Sequence, residues 1–173
     1  MSRSRVIAAA MGLLTISACR ITLDDKTEYS GRSCADGTVT ACVEAPMHSE
    51  LSWLEQNVFT KCTFSGCHNG AMTDAGRLDL QPGKAYTNLV DVDSQIARGP
   101  TLVGKAKLVT PGDPSRSYLL VMLRDLTPAQ HDPPLDEPPA SVGYMPQNAG
   151  GIVTCCQKLD AVSRWILEGA QNN

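Results

Sequence analysis

Aromatic side chains are scarce in this chain. Its 173 residues hold two Trp, four Tyr and two Phe. Such rings usually dominate the energetics of a core, so few large groups are on hand to fill the centre. No apolar run reaches the roughly 20 residues of a membrane-crossing helix. Long blocks of like charge, heptad arrays and short-period repeats are also missing. Those absences exclude a coiled coil, a solenoid and a nucleic-acid-binding tail. No catalytic triad, phosphate-binding glycine loop or paired-carboxylate motif stands out. Asp24-Asp25 and Asp136-Glu137 read as solvated loop charges. What is plentiful is cysteine, with seven, an odd number, and the loop formers, with 14 Gly and 11 Pro. The length fits one domain with a tail. A chain of this size buries roughly two thirds of its surface and does not need disulfides merely to fold.

The first residues read as an address. Arg3 and Arg5 precede an apolar stretch from Val6 to Ala18, too short to span a bilayer as a stable helix. The stretch ends Ile16-Ser17-Ala18-Cys19. This resembles a bacterial lipoprotein signal, with residues 1–18 removed and Cys19 lipidated. An ordinary signal peptide cut near Ala18 is the alternative. Several acyl chains on one residue give durable anchoring. Arg20 follows the cysteine, which by resemblance to Gram-negative sorting points to the outer membrane. Loss of Arg3 and Arg5 turns 15 basic residues into 13, against 18 acidic, a net charge of −5. Nucleic acid is therefore not an expected partner. Export would put the remaining cysteines where disulfides and thioethers persist.

Residues 19–48 are polar and read as a tether. Within it, Asp36-Gly37 marks a turn, and Cys34 is expected to pair locally with Cys42. Residues 49–173 then form the domain. Ser49 or Ser52 can cap a helix reaching about Thr60, with Ser52 to Glu55 reading as a capping box and Leu51, Leu54, Val58 and Phe59 on one face. A short helix is expected over 83–90. Residues 102–111 look weakly strand-like. Asp113 suits an N-cap and Pro114 the first position of a helix to about Leu126. Residues 127–151 form a long loop, and five of the eleven prolines fall between Pro128 and Pro139. A last helix should run from Thr154 to Glu168, closed by Gly169. The fold class is all-α, with three or four helices and connections too long for an ordinary bundle.

Cys62-Thr63-Phe64-Ser65-Gly66-Cys67-His68 is the informative motif. Covalent haem attachment usually reads C-x-x-C-H: two thiols add to the haem vinyls and the histidine ligates iron. Here four residues separate the cysteines, so two more must loop out, which Ser65 and Gly66 can allow. An apolar helix precedes the motif. Asn69-Gly70, Leu78-Asp79-Leu80, Ala85 to Val90, Val109 to Leu119, Tyr144-Met145-Pro146 and Trp165 to Ala170 follow it in order. Over about Leu51 to Ala170 the chain resembles small exported bacterial cytochrome c-like domains. That resemblance implies one haem c surrounded by the helices and loops, held by thioethers from Cys62 and Cys67. It implies His68 and Met145 as the axial iron ligands. It also implies one-electron transfer with a protein partner of the cell envelope rather than enzymatic turnover. The partner's surface should be positive, to complement an acidic carrier. A porphyrin would also supply the large core group that the aromatic count lacks.

Other readings compete. Met122, on a helical apolar stripe, reads as core. Met72 lies too near the motif in sequence to reach the opposite haem face. His131 is the rival distal ligand, and His48 reads as solvent-exposed. Cys62, Cys67 and His68 could join Cys155, Cys156 or His131 around zinc, or Cys62 and Cys67 could form a plain disulfide. Cys155 and Cys156 could form a vicinal disulfide or pair with Cys34 and Cys42; four cysteines allow three pairings. The alternative function is a haem-free, disulfide-stabilised lipoprotein serving as a binding or scaffold module. A peroxidase-like enzyme would need an open distal position, and no added catalytic His or Arg motif is present.

Overall fold

The computed structural model describes residues 34–64, 66–73, 77–146 and 154–173. Residues 1–33, with the expected leader and Cys19, lie outside them. Five short α-helices are present: α1 (Thr40–Glu44), α2 (Leu51–Asn57), α3 (Ala85–Leu89), α4 (Tyr118–Met122) and α5 (Cys156–Leu167). Four 3-10 turns accompany them, at Ala45–Met47, Phe59–Cys62, Pro114–Arg116 and Pro128–Gln130. Extended pairing among the described residues is confined to isolated bridges, such as Val90 with Val109 and Asp93 with Lys107. The strand-like stretch before Pro111 thus bridges without forming a sheet.

Helix α5 organises the core. Its apolar positions Leu159, Val162, Trp165 and Ile166 are fully buried. They pack with Leu51, Leu54, Val58 and Phe59, the face anticipated for α2, in one cluster. Polar side chains of α5 then satisfy helix ends that would otherwise be left open. Lys158 donates to the carbonyl of Asn57 at the end of α2 (2.7 Å), and Arg164 donates to the carbonyls of Ala45 (2.6 Å) and His48 (2.9 Å). Burial pulls the Lys158 ammonium below its ordinary range. At the far end, Gly169 takes φ +96° and stops the chain's helical run.

The capping box is not formed. Glu50 is the N-cap residue of α2, with no side-chain cap bond. The first amides of α2 donate instead to Asn173: Leu51 N–H to its side-chain oxygen (2.9 Å) and Ser52 N–H to its backbone oxygen (2.8 Å). Glu55 is thereby freed for another task. It is buried and accepts from the N–H groups of Gly83 (2.9 Å) and Ala85 (3.3 Å), so it ties α2 to the start of α3. Glu55→Ala should therefore leave two amides unpartnered and lower stability by about 2–3 kcal/mol, with Glu55→Gln losing less. Urea midpoints check this; an unchanged midpoint would mean that water replaces the carboxylate at no cost.

The expected tether and local disulfide need correction. From Cys34 onward the segment is part of the packed structure: Cys42 is buried and Ala45 is fully buried against the core. Cys34 is bonded to Cys156 and Cys42 to Cys155. The reason is local backbone placement. Ala35 bridges Cys155 in parallel fashion, which sets Cys34 and Cys156 side by side with Cα atoms 5.2 Å apart. Helix α1 then turns Cys42 back toward Cys155, at a Cα separation of 6.1 Å. Gly37 sits against this second bridge, where an added Cβ would fall 2.5 Å from the Cys42 sulfur. Its N–H donates to Gln157 Oε1 (3.0 Å), and Gln157 Nε2 donates back to its carbonyl (3.2 Å). The glycine is there for close approach.

The single helix expected from Pro114 to Leu126 is two pieces. Asp113 accepts from Arg116 N–H and begins the 3-10 turn as anticipated. Ser117 then goes extended, bridges Lys107 and starts α4. Helix α4 is buried at every position, and its face divides between two clusters. Leu119 and Leu120 join the first. Tyr118, Val121 and Met122 join a second with Ala97, Ala106 and Leu135.

Candidate haem-attachment site

The motif hangs from the end of α2. Phe59 is buried in the first cluster and anchors the 3-10 turn that ends at Cys62. The longer spacing between the cysteines is taken up by a closed loop. Cys67 N–H donates to the Phe64 carbonyl (2.8 Å), and His68 N–H donates back to the Cys62 carbonyl (3.0 Å). Gly66 adopts φ +81°, which a glycine allows at little cost. Past the motif, Leu80 N–H donates to the His68 carbonyl (2.9 Å), and Leu80 is buried. Gln81 Nε2 donates to the Asn69 carbonyl (2.9 Å) and Asn88 Nδ2 to the Asp79 carbonyl (2.8 Å). The Leu78-Asp79-Leu80 stretch is thus the strut that holds the histidine.

His68 Nδ1 lies 3.1 Å from the Leu78 carbonyl oxygen. A carbonyl can only accept, so Nδ1 carries the proton and the neutral ring keeps its lone pair on Nε2. This is how a metal-ligating imidazole is normally oriented. Cys62 and Cys67 are both free thiols, and the other four described cysteines are in disulfides. Burial, with a smaller effect from nearby Cys67, pushes the Cys62 thiol up to about 11. Burial thus favours the neutral thiol at Cys62 and makes it a weak nucleophile. Cys67 is exposed.

Met145 lies apart from this loop in the chain. Its N–H donates to the Met122 carbonyl at the end of α4 (2.9 Å), and its side chain packs on the second cluster. Cys62 and Leu78 pack on the first. Half-buried Leu108 and Leu126 belong to both clusters and form the seam between them. Cys62 and Met145 are thus placed on two apolar bodies that share a boundary. Two buried polar atoms on the Met145 side, Tyr118 Oη and Arg124 Nε, have no hydrogen-bond partner among the described residues. The Arg124 guanidinium lies 4.8 Å from the ring centre of Tyr144, next to Met145, and the Tyr144 hydroxyl donates to Glu137. Burial pushes the Tyr118 phenol up to about 12, so it remains a donor at physiological pH.

The remaining candidates sort by burial. Met122 is core, and Met72 is fully exposed. His48 is not freely solvated as expected: it stacks on Trp53 at 4.7 Å, and its Nδ1 lies 3.0 Å from a Glu50 carboxylate oxygen. His131 is buried, with Nδ1 donating to the Pro133 carbonyl (2.8 Å). Cys155 and Cys156 are committed to disulfides and unavailable to zinc. Among the described residues no group of three or more His, Cys, Asp or Glu side chains is placed to hold a metal ion. No helix among them is long and apolar enough to cross a membrane. Sequence reasoning did not anticipate the Leu78 carbonyl as the partner of His68, nor the buried donors Tyr118 and Arg124. No protein-family model, curated protein or solved structure matches the chain.

Proposed function

We propose that this chain is a one-electron carrier of the bacterial cell envelope, holding a single haem c and anchored through lipid on Cys19, facing the periplasm or outer surface. One observation carries the reading. The two described thiols left out of disulfides both precede a histidine whose Nδ1 proton is already committed to a backbone carbonyl. Cys62 and Cys67 would hold the porphyrin. Addition of their S–H groups to the two vinyl C=C bonds would supply that attachment and would need no oxidant. Haem c supplies a reversible ferric/ferrous couple when bound. His68 Nε2 and the Met145 thioether would hold the iron, and Tyr118 and Arg124 are suited to the porphyrin carboxylates. With His68 and Met145 both holding the iron, no position would be left open to oxygen or peroxide, which would favour electron transfer over turnover.

The disulfides serve a haem-free scaffold equally well, so a spectrum must separate the two readings. Expressed with haem-maturation machinery, the protein should show a Soret band and retain haem in denaturing gels. Absence of both overturns the carrier. Met145→Ala should abolish the weak red charge-transfer band of sulfur-ligated ferric haem while leaving the covalent haem in place. A band that persists removes Met145 from the iron.

A further inference from the structure

One side of the segment around α1 carries apolar surface left open to solvent. Seven large apolar side chains are well exposed among the described residues, and three of them fall in this one short stretch. Val39 is 64% exposed, Val43 60% and Met47 72%. They stand four residues apart: at the N-cap of α1, inside it, and at the end of the 3-10 turn that follows. That spacing puts neighbours on the same side of a helical backbone. Pro46 is exposed with them. The opposite side faces inward, because Cys42 and Ala45 are buried. Single exposed apolar residues are ordinary, whereas a row of them marks a contact surface.

The segment is held firmly. Disulfides at Cys34 and Cys42 fix it to the start of α5. At its far end the carbonyls of Ala45 and His48 accept from Arg164 at 2.6 and 2.9 Å. A face already fixed in place loses little freedom when it docks. One whose end carbonyls are already paired can leave water without stranding them. The charges along residues 34–47 are both acidic, Asp36 and Glu44, and both are exposed. Anionic headgroups and acidic partners would be repelled. An apolar surface without net charge would not.

The position of the anchor selects the occupant, and the inference rests on the lipid proposed for Cys19. Fifteen residue steps separate Cys19 from Cys34, a reach of at most about 50 Å. Val39 follows five residues after Cys34. A link of that length holds the face beside the bilayer at an effective concentration of the order of millimolar. Three apolar side chains are too few to bind a membrane unaided. As a second signal added to a lipid anchor they suffice. A second copy of the chain enjoys no such local concentration. We infer that the face bearing Val39, Val43 and Met47 docks on the zwitterionic lipid surface in which Cys19 is anchored, with these side chains among the headgroups and upper acyl chains. Docking involves no covalent step and does not depend on haem.

Methionine oxidation reads the contact directly. Chloramine-T converts exposed methionine to its sulfoxide, and fully exposed Met72, outside this face, is an internal reference. The full lipidated chain in phosphatidylcholine vesicles should have Met47 oxidised at least about threefold more slowly than the Cys19→Ser chain, with Met72 equally reactive in both. Val39→Asp with Val43→Asp, both at exposed positions, should restore Met47 oxidation without releasing the protein from the vesicles. Flotation reads the anchor separately. A chain that does not float with the vesicles lacks the lipid, and the docking falls with it. A chain that floats with Met47 as reactive as in Cys19→Ser overturns the docking alone. Met47 already protected in Cys19→Ser also overturns it. Protection that grows with protein concentration would give the face to a second copy, and constant protection would give it to the chain's own residues. Should the double variant fail to fold, the ratio of Met47 to Met72 oxidation in the unaltered chain decides.

Discussion

Replacing Cys62 and Cys67 together with alanine should eliminate covalently retained haem, while either single replacement should leave one thioether. The double variant is the largest effect the carrier reading predicts, because nothing else among the described residues can bond the porphyrin: the other four described cysteines are spent on disulfides. The two single variants should differ. Cys67 is exposed and would be open to a vinyl group. Cys62 is half-buried and packed against the first cluster, and its thiol is held protonated by burial. Alkylation of the haem-free chain at pH 8 should accordingly label Cys67 well before Cys62. Loss of one thioether restores a conjugated vinyl, so each single variant should show a red-shifted visible band in its reduced pyridine complex. Haem that survives denaturing electrophoresis in the double variant would sink the attachment scheme. An unshifted band in one single variant would show that its cysteine never bonded haem, and would make the long-spaced motif a one-point attachment.

Much of the scaffold beneath that motif was legible in the residue pattern. Leu51, Leu54, Val58 and Phe59 fall at helical spacing, and all four are buried. Leu159, Val162, Trp165 and Ile166 do the same in α5. Periodicity succeeds there because burial of one face decides the structure of a helix. Asp113 and Pro114 also act where the sequence places them, since capping is a local event. The failures share a physical cause. The start of α2 is satisfied by Asn173, more than a hundred residues away, so the local capping box had no work to do. Glu55, released from it, binds Gly83 and Ala85 instead. Helix α4 starts only at Tyr118 because Ser117 goes extended to bridge Lys107, and propensity does not encode that contact.

The site divides along the same line. Cys62, Cys67 and His68 are adjacent in sequence, so their grouping was readable as a motif. The carbonyl that sets the His68 tautomer comes from Leu78, ten residues on, in a stretch with no regular structure. Tyr118 and Arg124 are invisible as donors until their burial is known, because Tyr and Arg on a short helix and its end are ordinary residues. His131 shows the converse. Placed in a proline-rich loop, it reads as mobile, yet the loop packs it to near-complete burial.

Removing both disulfides should cost about 8 kcal/mol, whereas removing either pair alone should cost about 3. Cys34–Cys156 spans 122 residues and Cys42–Cys155 spans 113. In the chain-entropy account, one cross-link over a loop of that length is worth about 5 kcal/mol. The two bonds close almost the same loop, however. With one in place, the other closes only a small ring made of residues 34–42 and the Cys155–Cys156 step, worth about 3 kcal/mol. Either pair can therefore stand in for the other in holding the long loop, and the double loss exceeds the sum of the single ones. A total of about 8 kcal/mol rivals the whole stability of a typical domain. Urea unfolding of Cys34→Ala/Cys156→Ala, of Cys42→Ala/Cys155→Ala and of the fourfold variant measures the three costs. The comparison also tests the connectivity. If the true bonds were Cys34–Cys42 and Cys155–Cys156, each paired variant would break both at once and would match the fourfold variant. With Cys34 bonded to Cys156 and Cys42 to Cys155, the gap between paired and fourfold variants is the free energy of clasping the N-terminal segment to α5. That clasp would keep the start of the domain beside its last helix wherever the preceding residues are anchored.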